Sequence, residues 1–447
     1  MFASPALMTD LYQLTMAAGY FHHGLHAKRV SFELFARRLP ENRRYLLFAG
    51  LERIIDYLRN LHFTEAQIAY LRDVPHLRTA MSADFVEFLR DFKFRGDVWA
   101  MPEGTVCFAR EPMIRITGTL LETQLVETFL LSTINTETVV ATKAARIFTA
   151  AAGRDVLEFG SRRTSPEEAV ASARAAFLAG FAATSNVEAG YRWDIPVAGT
   201  AAHSWTMSHA SEEEAFRHYA EAFPKHTTLL VDTYDTTEGV KRAIAAAGER
   251  LKGVRLDSGD LYALSKEARA LLDAAGLTEA KIVASGDLNE VKIDQLVKDS
   301  APIDGFGVGT ELVRSRDNPT LGGVYKIVYD HTEDRPVAKF SEGKATLPGL
   351  HQVFRKYRNG VAECDIIGTL PEFHVDATPL LESWMEAGKV VRELPSLAQI
   401  RRQAREQLKS MPDSVRRLDN TSDNAFEVRL SDALEDLISE VRKREML

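Results

Sequence analysis

Between residues 155 and 309 the hydrophobic pattern repeats itself. Short apolar runs, "DVLEF", "IPVAG", "TTLLVD", "GVRLD", "KIVAS" and "IDGFGVG", alternate with stretches whose apolar residues recur three and four positions apart. The runs predict buried strands and the stretches between them predict helices. Local signals agree: "SPEEAVASARAAFLAG" offers Ser165 as N-cap, Pro166 at the first helical position and Gly180 as a stop. Strands alternating with helices predict a parallel sheet with helical crossovers. Six such units suit a closed barrel, with an open doubly wound sheet as the alternative.

On either side the rhythm changes. Residues 9–23 predict a helix capped by Thr9 or Asp10 and ended by Gly24, with Leu11, Leu14, Ala18 and Phe21 on one stripe. Residues 94–118 carry β-rich pieces between Pro-Glu-Gly and Glu-Pro turns, the pattern of a small antiparallel sheet. A long helix is expected over 119–150. After about residue 325, "YKIVYD" and "RPVAKFS" predict a hairpin, residues 344–369 further antiparallel strands, and 395–447 mostly polar helix. The domains expected are 1–120 (α+β), 121–325 (βα barrel) and 326–447, the last partly rejoining the first and ending in helices.

Composition narrows the classes. With 447 residues, 45% hydrophobic and 26% charged, the chain reads as a soluble globular protein. No apolar run approaches the roughly 20 residues of a membrane span, and "MFASPALMTDLYQ" lacks a signal-peptide pattern. Cys107 and Cys364 alone cannot build a disulfide framework or a four-cysteine zinc site, so a cytoplasmic setting is expected. A net charge of -8 argues against a general nucleic-acid binder. The basic stretch "RRQAREQLKSMPDSVRR" reads as a solvated helical face.

Chemistry concentrates where each predicted strand ends. The successive ends read "GSRRT", "TAAHS", "DTYDT", "DSGD", "SGDLNE" and "GVGTEL". In a βα barrel these ends share one face, which would gather Arg162, His203, Asp232, Asp257, Ser285, Gly286, Asp287, Gly307 and Gly309. A single such turn is ordinary turn chemistry; six in succession, with arginines and a histidine among them, favour a site. "GFGVGTEL" reads as a phosphate nest at a strand-to-helix turn. It is no dinucleotide fingerprint, because the third glycine is missing and it closes the series. Asp257 and Asp260 in "LDSGDL" could hold Mg²⁺ or sugar hydroxyls, and capping by Ser258 or Asp260 is the plainer reading for one of them. Arg255, two residues earlier, shares a strand face with Asp257.

These motifs, with "TDLYQLTMAAGYF", "EFGSRRT", "TSNVEAG", "GTAAHSW", "RLDSGDL", "SGDLNE" and "GFGVGTEL" in this order, resemble the nicotinate phosphoribosyltransferases over residues 9 to about 350. The resemblance implies an α/β fold: an irregular βα barrel of parallel strands with a second α+β domain built from N-terminal and C-terminal segments. It implies transfer of phosphoribose from phosphoribosyl pyrophosphate to nicotinate in NAD salvage, with Mg²⁺ required and ATP hydrolysed through a phosphohistidine at His203. It implies catalytic roles for His203, Arg255 and Asp257, the last a tentative Mg²⁺ ligand. Tyr12, Phe159, Arg162, Thr184, Ser185 and Asp232 would bind substrate, and Ser285, Gly286, Asp287, Gly307, Gly309 and Thr310 would hold phosphates. In this pattern Tyr12 enters from a partner subunit, so a homodimer with shared sites is implied. Neither nucleic acid nor membrane is an expected partner.

The small residues around His203 now have a reason. A ring nitrogen attacking a γ-phosphoryl group in line needs room for ATP. Ser185 bears on the base selected. Related nicotinamide phosphoribosyltransferases carry aspartate there, which would repel a nicotinate carboxylate. The alternative for Ser185 is a helix cap for "NVEAGYRW". Other functions considered are a nicotinamide or quinolinate phosphoribosyltransferase, a barrel aldolase or isomerase, and a non-catalytic phosphosugar-binding protein. The aldolase reading wants a lysine at a strand end, and none of the six ends has one.

Overall fold

The computed structural model describes residues 4–419 and 426–445. The chain divides into two compact units, one built on residues 140–319 and the other on residues up to 139 together with those from 320 onward. The division falls inside the helix Glu127–Ala150 and again between Pro319 and Thr320.

The unit on 140–319 is a parallel sheet wrapped by helices. Its strands are β1 (Asp155–Glu158), β2 (Ala183–Thr184), β3 (Thr227–Leu230), β4 (Leu251–Leu256), β5 (Lys281–Ala284) and β6 (Gly305–Val308). Their order is β2-β1-β6-β5-β4-β3, and every pairing is parallel. Among the described residues no ladder joins β2 to β3, so the curled sheet is an irregular barrel left open at that seam. The crossovers are α1 (Pro166–Leu178), α2 (Val187–Trp193), α3 (His203–Met207), α4 (Glu212–Ala222), α5 (Thr236–Ala247), α6 (Leu261–Ala274), α7 (Glu290–Lys298) and α8 (Thr310–Val313). Ser165 caps α1 through the Glu168 amide with Pro166 at the start, and Gly180 follows its end at φ 123°. Val156, Val254, Leu256, Ile282, Ala284, Phe306 and Val308 bury the sheet's interior.

One strand differs from expectation. Residues 195–199 form only an isolated parallel bridge, Val197 to Thr184; the strand at the edge of the sheet is Ala183–Thr184. Pro196 lacks an amide to donate, and the segment is held by two bonds only: Thr184 N–H to the Pro196 carbonyl (3.0 Å) and Ala198 N–H to the Thr184 carbonyl (2.9 Å). His203 therefore opens a short helix instead of ending a strand.

The other unit joins both ends of the chain. A seven-stranded antiparallel sheet runs in the order Arg335–Pro336, Gly323–Asp330, Arg29–Ala36, Pro112–Thr119, Asp97–Ala100, Glu382–Glu386, Lys389–Val390. Phe32, Leu34, Ile54, Leu58, Ile114, Ile116 and Leu130 lie in its core. The helix expected over 119–150 is broken in two, Leu120–Leu125 and Glu127–Ala150, the first opened by a Thr119–Glu122 capping box. The helix at the N-terminus spans Leu11–His22, and its N-cap Asp10 accepts from the Thr128 hydroxyl (2.9 Å) instead of capping.

A four-stranded sheet holds Ala377–Pro379, His351–Arg358, Val361–Thr369 and Glu427–Leu430. The last strand interrupts the helical reading of 395–447. "EVRL" alternates polar and apolar residues, and Val428 and Leu430 pack on the cluster of Leu347, Ile367 and Leu434. Residues 420–425, 446 and 447 of that segment lie outside the described residues. Among the described residues no helix is long and apolar enough to cross a membrane.

Candidate active site

A cavity of about 250 Å³ opens at the C-terminal ends of the parallel strands. Phe159, Ser161 and Arg162 line it from the end of β1, Ser185 from β2, Thr200 to His203 from the segment before α3, and Arg255 and Asp257 from β4. Six residues singled out in the sequence thus share one cavity: Phe159, Arg162, Ser185, His203, Arg255 and Asp257.

Arg255 organises the wall. Its Nε donates to the Ser285 hydroxyl (2.8 Å), Nη1 to the Thr200 hydroxyl (3.1 Å) and Nη2 to Asp257 Oδ1 (2.7 Å). Its guanidinium lies 5.3 Å from the centre of the Phe159 ring, within cation–π range. Ser285 also donates to Asp257 Oδ1 (2.5 Å). Burial alone would raise the Asp257 carboxyl, but the Ser285 hydroxyl and Arg255 outweigh it and hold it below the usual range. The side chain that keeps an oxygen to spare is Asp232. Its Oδ2 accepts from the Asp257 amide (3.1 Å) and the Ser258 hydroxyl (2.6 Å), while its Oδ1 is buried without a partner.

His203 is the first residue of α3, and its Nδ1 lies 3.2 Å from the Thr233 hydroxyl. Trp205 anchors that helix, donating from Nε1 to the Ala215 carbonyl of α4 (3.0 Å). This bond ties α3 to α4, and Gly199, Thr200, Ala201 and Ala202 line the cavity beside His203.

The glycines also have packing and turn roles. A Cβ on Gly307 would lie 2.5 Å from the Phe159 ring, so this glycine makes room for the ring. Gly286, at φ 94°, passes so close to the Asp257 carbonyl that a Cβ would sit 2.0 Å from it. Together with Asp287 at φ 47° it forms the tight turn after β5. Gly309 caps α8 and Thr310 opens it. These residues, with Ser285, stand beside the cavity at neighbouring strand ends and are not part of its lining.

Other expectations resolve as follows. Thr184 is 1% exposed, and its hydroxyl is committed to Glu158, so the structure gives it no face toward a ligand. Asp260 caps α6 through the Tyr262 and Ala263 amides (3.1 Å each), the plainer of its two readings. Asn186, not Ser185, caps α2 through the Ala189 amide (2.9 Å), leaving Ser185 on the cavity wall. Tyr12 lies on the helix Leu11–His22 in the other unit and is 47% exposed. Burial and Glu127 push its hydroxyl up to about 12, so it stays neutral. Sequence reasoning missed Glu158, Ser161, Thr200 and Thr233. The parity of "DVLE" was the available signal for the first, since it puts Glu158 on the buried face with Val156.

Comparison with known proteins adds a family. Three sequence profiles match in order: the nicotinate phosphoribosyltransferase N-terminal domain over residues 7–135, the nicotinate phosphoribosyltransferase family over 155–337, and the nicotinate phosphoribosyltransferase C-terminal domain over 369–438. A nicotinate phosphoribosyltransferase of Mycobacterium tuberculosis is 43% identical over 436 residues, covering 96% of this chain and 92% of that one. One from Bacillus subtilis is 45% identical over 363 residues, covering 79% and 73%. The crystal structure of human nicotinic acid phosphoribosyltransferase superposes with a TM-score of 0.86 at 29% identity, covering 97% of this chain and 99% of that one. The chain belongs to the nicotinate phosphoribosyltransferase family.

Proposed function

We propose that this enzyme transfers the phosphoribosyl group of phosphoribosyl pyrophosphate to the ring nitrogen of nicotinate, releasing nicotinate mononucleotide and pyrophosphate. Transfer is coupled to ATP hydrolysis through His203 and serves NAD salvage. The observation that carries this reading is the cavity itself. An aromatic face, two arginines, a neutral serine and a histidine with open space before it surround a volume suited to a small planar ring.

The ring nitrogen of nicotinate attacks the anomeric carbon as the bond to the diphosphate oxygen breaks. The base arrives with its lone pair free, so no strong general base is needed. Phe159 supplies the apolar face on which the ring lies, and Arg162 the fork for its carboxylate. Ser185 can donate to that carboxylate where an aspartate would repel it. Arg255 and Asp257 are held to each other and to Ser285. They present fixed charges to the oxocarbenium-like sugar and the leaving diphosphate without reorganising during the step. The amides of Gly286, Asp287, Gly309 and Thr310 suit phosphate oxygens.

In the coupled step a ring nitrogen of His203 attacks the γ-phosphorus of ATP as the bond to ADP breaks. The new phosphate charge draws the arginines inward, and hydrolysis resets the site. Mg²⁺ suits the oxygens present, because Asp232 Oδ1 is buried and unpartnered, with Asp257 beside it. Phosphate oxygens and waters would be its other ligands. When bound it neutralises the diphosphate charge. Asp257 Oδ1 already accepts two bonds, so its second oxygen and Asp232 Oδ1 are the atoms that would meet the ion. A homodimer would bring Tyr12 of a second copy over the ring. Two free thiols, Cys107 and Cys364, fit a reducing cytoplasm.

The test is synthesis by the purified enzyme from phosphoribosyl pyrophosphate and nicotinate, nicotinamide or quinolinate, with and without ATP. Nicotinate is expected to be the base used, with ATP accelerating it. His203→Ala is expected to lose ATP hydrolysis and the ATP-stimulated component while slow transfer survives. Preference for another base, or full ATP stimulation in the variant, overturns the reading.

A further inference from the structure

Behind the cavity wall lies a carboxylate that the reaction does not use. Glu158 ends β1, is 1% exposed and does not line the cavity. It stands in register with Thr184 on β2. One of its oxygens accepts from the Gly160 amide and the other from the Thr184 hydroxyl (2.5 Å). The Thr184 oxygen in turn accepts from the Asn186 amide (3.0 Å), and Asn186 Nδ2 donates to the Ser161 hydroxyl (3.0 Å). The Glu158 carbonyl accepts from the Ser185 amide (2.9 Å). These hydrogen-bond donors are all neutral, and burial pushes the Glu158 carboxyl up.

The geometry matters because of what the two strand ends carry. β1 leads into Phe159, Ser161 and Arg162, and the neighbouring β2 leads into Ser185, all four of which line the cavity. Both loops are short, and Phe159, Ser161, Ser185 and Asn186 in them are half-buried. Without side-chain bonds their separation would be set only by the last residues of two parallel strands, one of them two residues long. A buried carboxylate bonded to both loops fixes that separation more firmly than surface contacts would, because breaking either bond leaves a polar group without water.

We propose that Glu158 and Thr184 are a positioning pair that sets the width of the slot between the Phe159–Arg162 loop and Ser185. Through it they govern affinity for the flat aromatic substrate and not the phosphate chemistry. The inference rests on reading the cavity as the nicotinate site. Neither residue touches substrate.

The experiment is steady-state kinetics on the full-length enzyme, varying nicotinate and phosphoribosyl pyrophosphate separately. Thr184→Val keeps the shape and removes the hydroxyl. It is expected to raise KM for nicotinate roughly tenfold, the effect of one lost buried bond, with KM for phosphoribosyl pyrophosphate and kcat changed less than about threefold. Thr184→Ser restores the hydroxyl and is expected to recover nicotinate KM to within about threefold of wild type. Should Thr184→Val fail to fold, Asn186→Ser keeps a capping oxygen for α2 but removes the amide donor to Ser161, and a rise of about threefold in nicotinate KM is expected. A merely structural pair would lower the melting temperature and leave the KM values alone. Unchanged nicotinate KM, or equal rises in both KM values, overturns the proposal. Turnover of nicotinate by the wild-type enzyme tests the function separately, so the two failures are distinguishable.

Discussion

Two arginine–aspartate pairs in this chain use the same chemistry to opposite ends. Arg355 and Asp365, on adjacent strands of the four-stranded sheet, are both fully buried and meet through two bonds, Nε to Oδ1 (2.8 Å) and Nη2 to Oδ2 (2.6 Å). Two further donors of Arg355 reach the Val106 carbonyl (2.7 Å) and Gln407 (3.0 Å), so four of its five N–H groups are bound. Arg255 and Asp257, at the end of β4, are 15% and 29% exposed and share one bond (2.7 Å). Their other contacts are hydroxyls, Ser285 and Thr200, which can turn toward another partner. The first pair is a closed cross-link between strands. The second is held in place yet still faces a cavity. Burial and openness to a cavity, not residue identity, separate the two pairs.

That contrast can be broken experimentally. Arg355→Ala strands a buried carboxylate and is expected to cost about 3–5 kcal/mol of stability, measured by denaturant unfolding. Arg255→Ala is expected to cost less than about 1 kcal/mol while lowering kcat/KM at least about a hundredfold. Equal stability losses would erase the distinction.

A smaller effect tests whether the closed pair carries excess charge. Glu111 is buried beside Asp365, and its carboxyl is pushed up by burial and by the Asp365 charge, against the opposing pull of Arg355. The folded chain therefore holds this proton more tightly than the unfolded chain. The associated stability is fully present below the ordinary carboxylate range and lost as pH rises through the raised value. Glu111→Gln is expected to remove that alkaline loss, a slope of up to about 1.4 kcal/mol per pH unit, read from melting curves across pH. An unchanged slope would mean that another group titrates.

The smallest effect sharpens the open side. Ser185→Asp adds a carboxylate to the cavity wall. Two like charges about 4 Å apart repel by about 4 kcal/mol at an effective dielectric near 20. Even a quarter of that shifts the ratio of nicotinate to nicotinamide efficiency several-fold toward the amide. Ser185→Ala is expected to cost less with nicotinate than Ser185→Asp. If the ratio does not move, Arg162 and the cavity's shape carry the choice of base.

The βα rhythm was legible because five of the six strands are apolar runs bounded by turn residues. The sixth, Ala183–Thr184, has two residues and no period to detect, so the longer "IPVAG" drew the assignment. The strand Glu427–Leu430 was lost for a related reason, since four residues between helical stretches give little alternation. In the site, residues with distinctive chemistry were readable from the strand ends: His203, Arg162, Arg255 and Asp257. Their supports were not. Thr200 and Ser161 look like any loop hydroxyl until the fold sets them beside a guanidinium and an amide. Gly307 was read as space for an anion, whereas the ring of Phe159, about 150 residues away in the chain, needs that space.

The seven-stranded sheet has a consequence for synthesis of the chain. Arg29–Ala36, buried at every position but the first, pairs on one side with Pro112–Thr119 and on the other with Gly323–Asp330. Its second neighbour leaves the ribosome roughly 200 residues after its first. At about 5–20 residues per second that interval is roughly 10–40 s. Throughout it an apolar strand waits with an unpaired edge, the condition under which nascent chains stick to one another. Residues 140–319, which make up nearly all of one unit, are synthesised within the same interval, so the middle of the chain has its own strands to hand before the seven-stranded sheet has all of its strands.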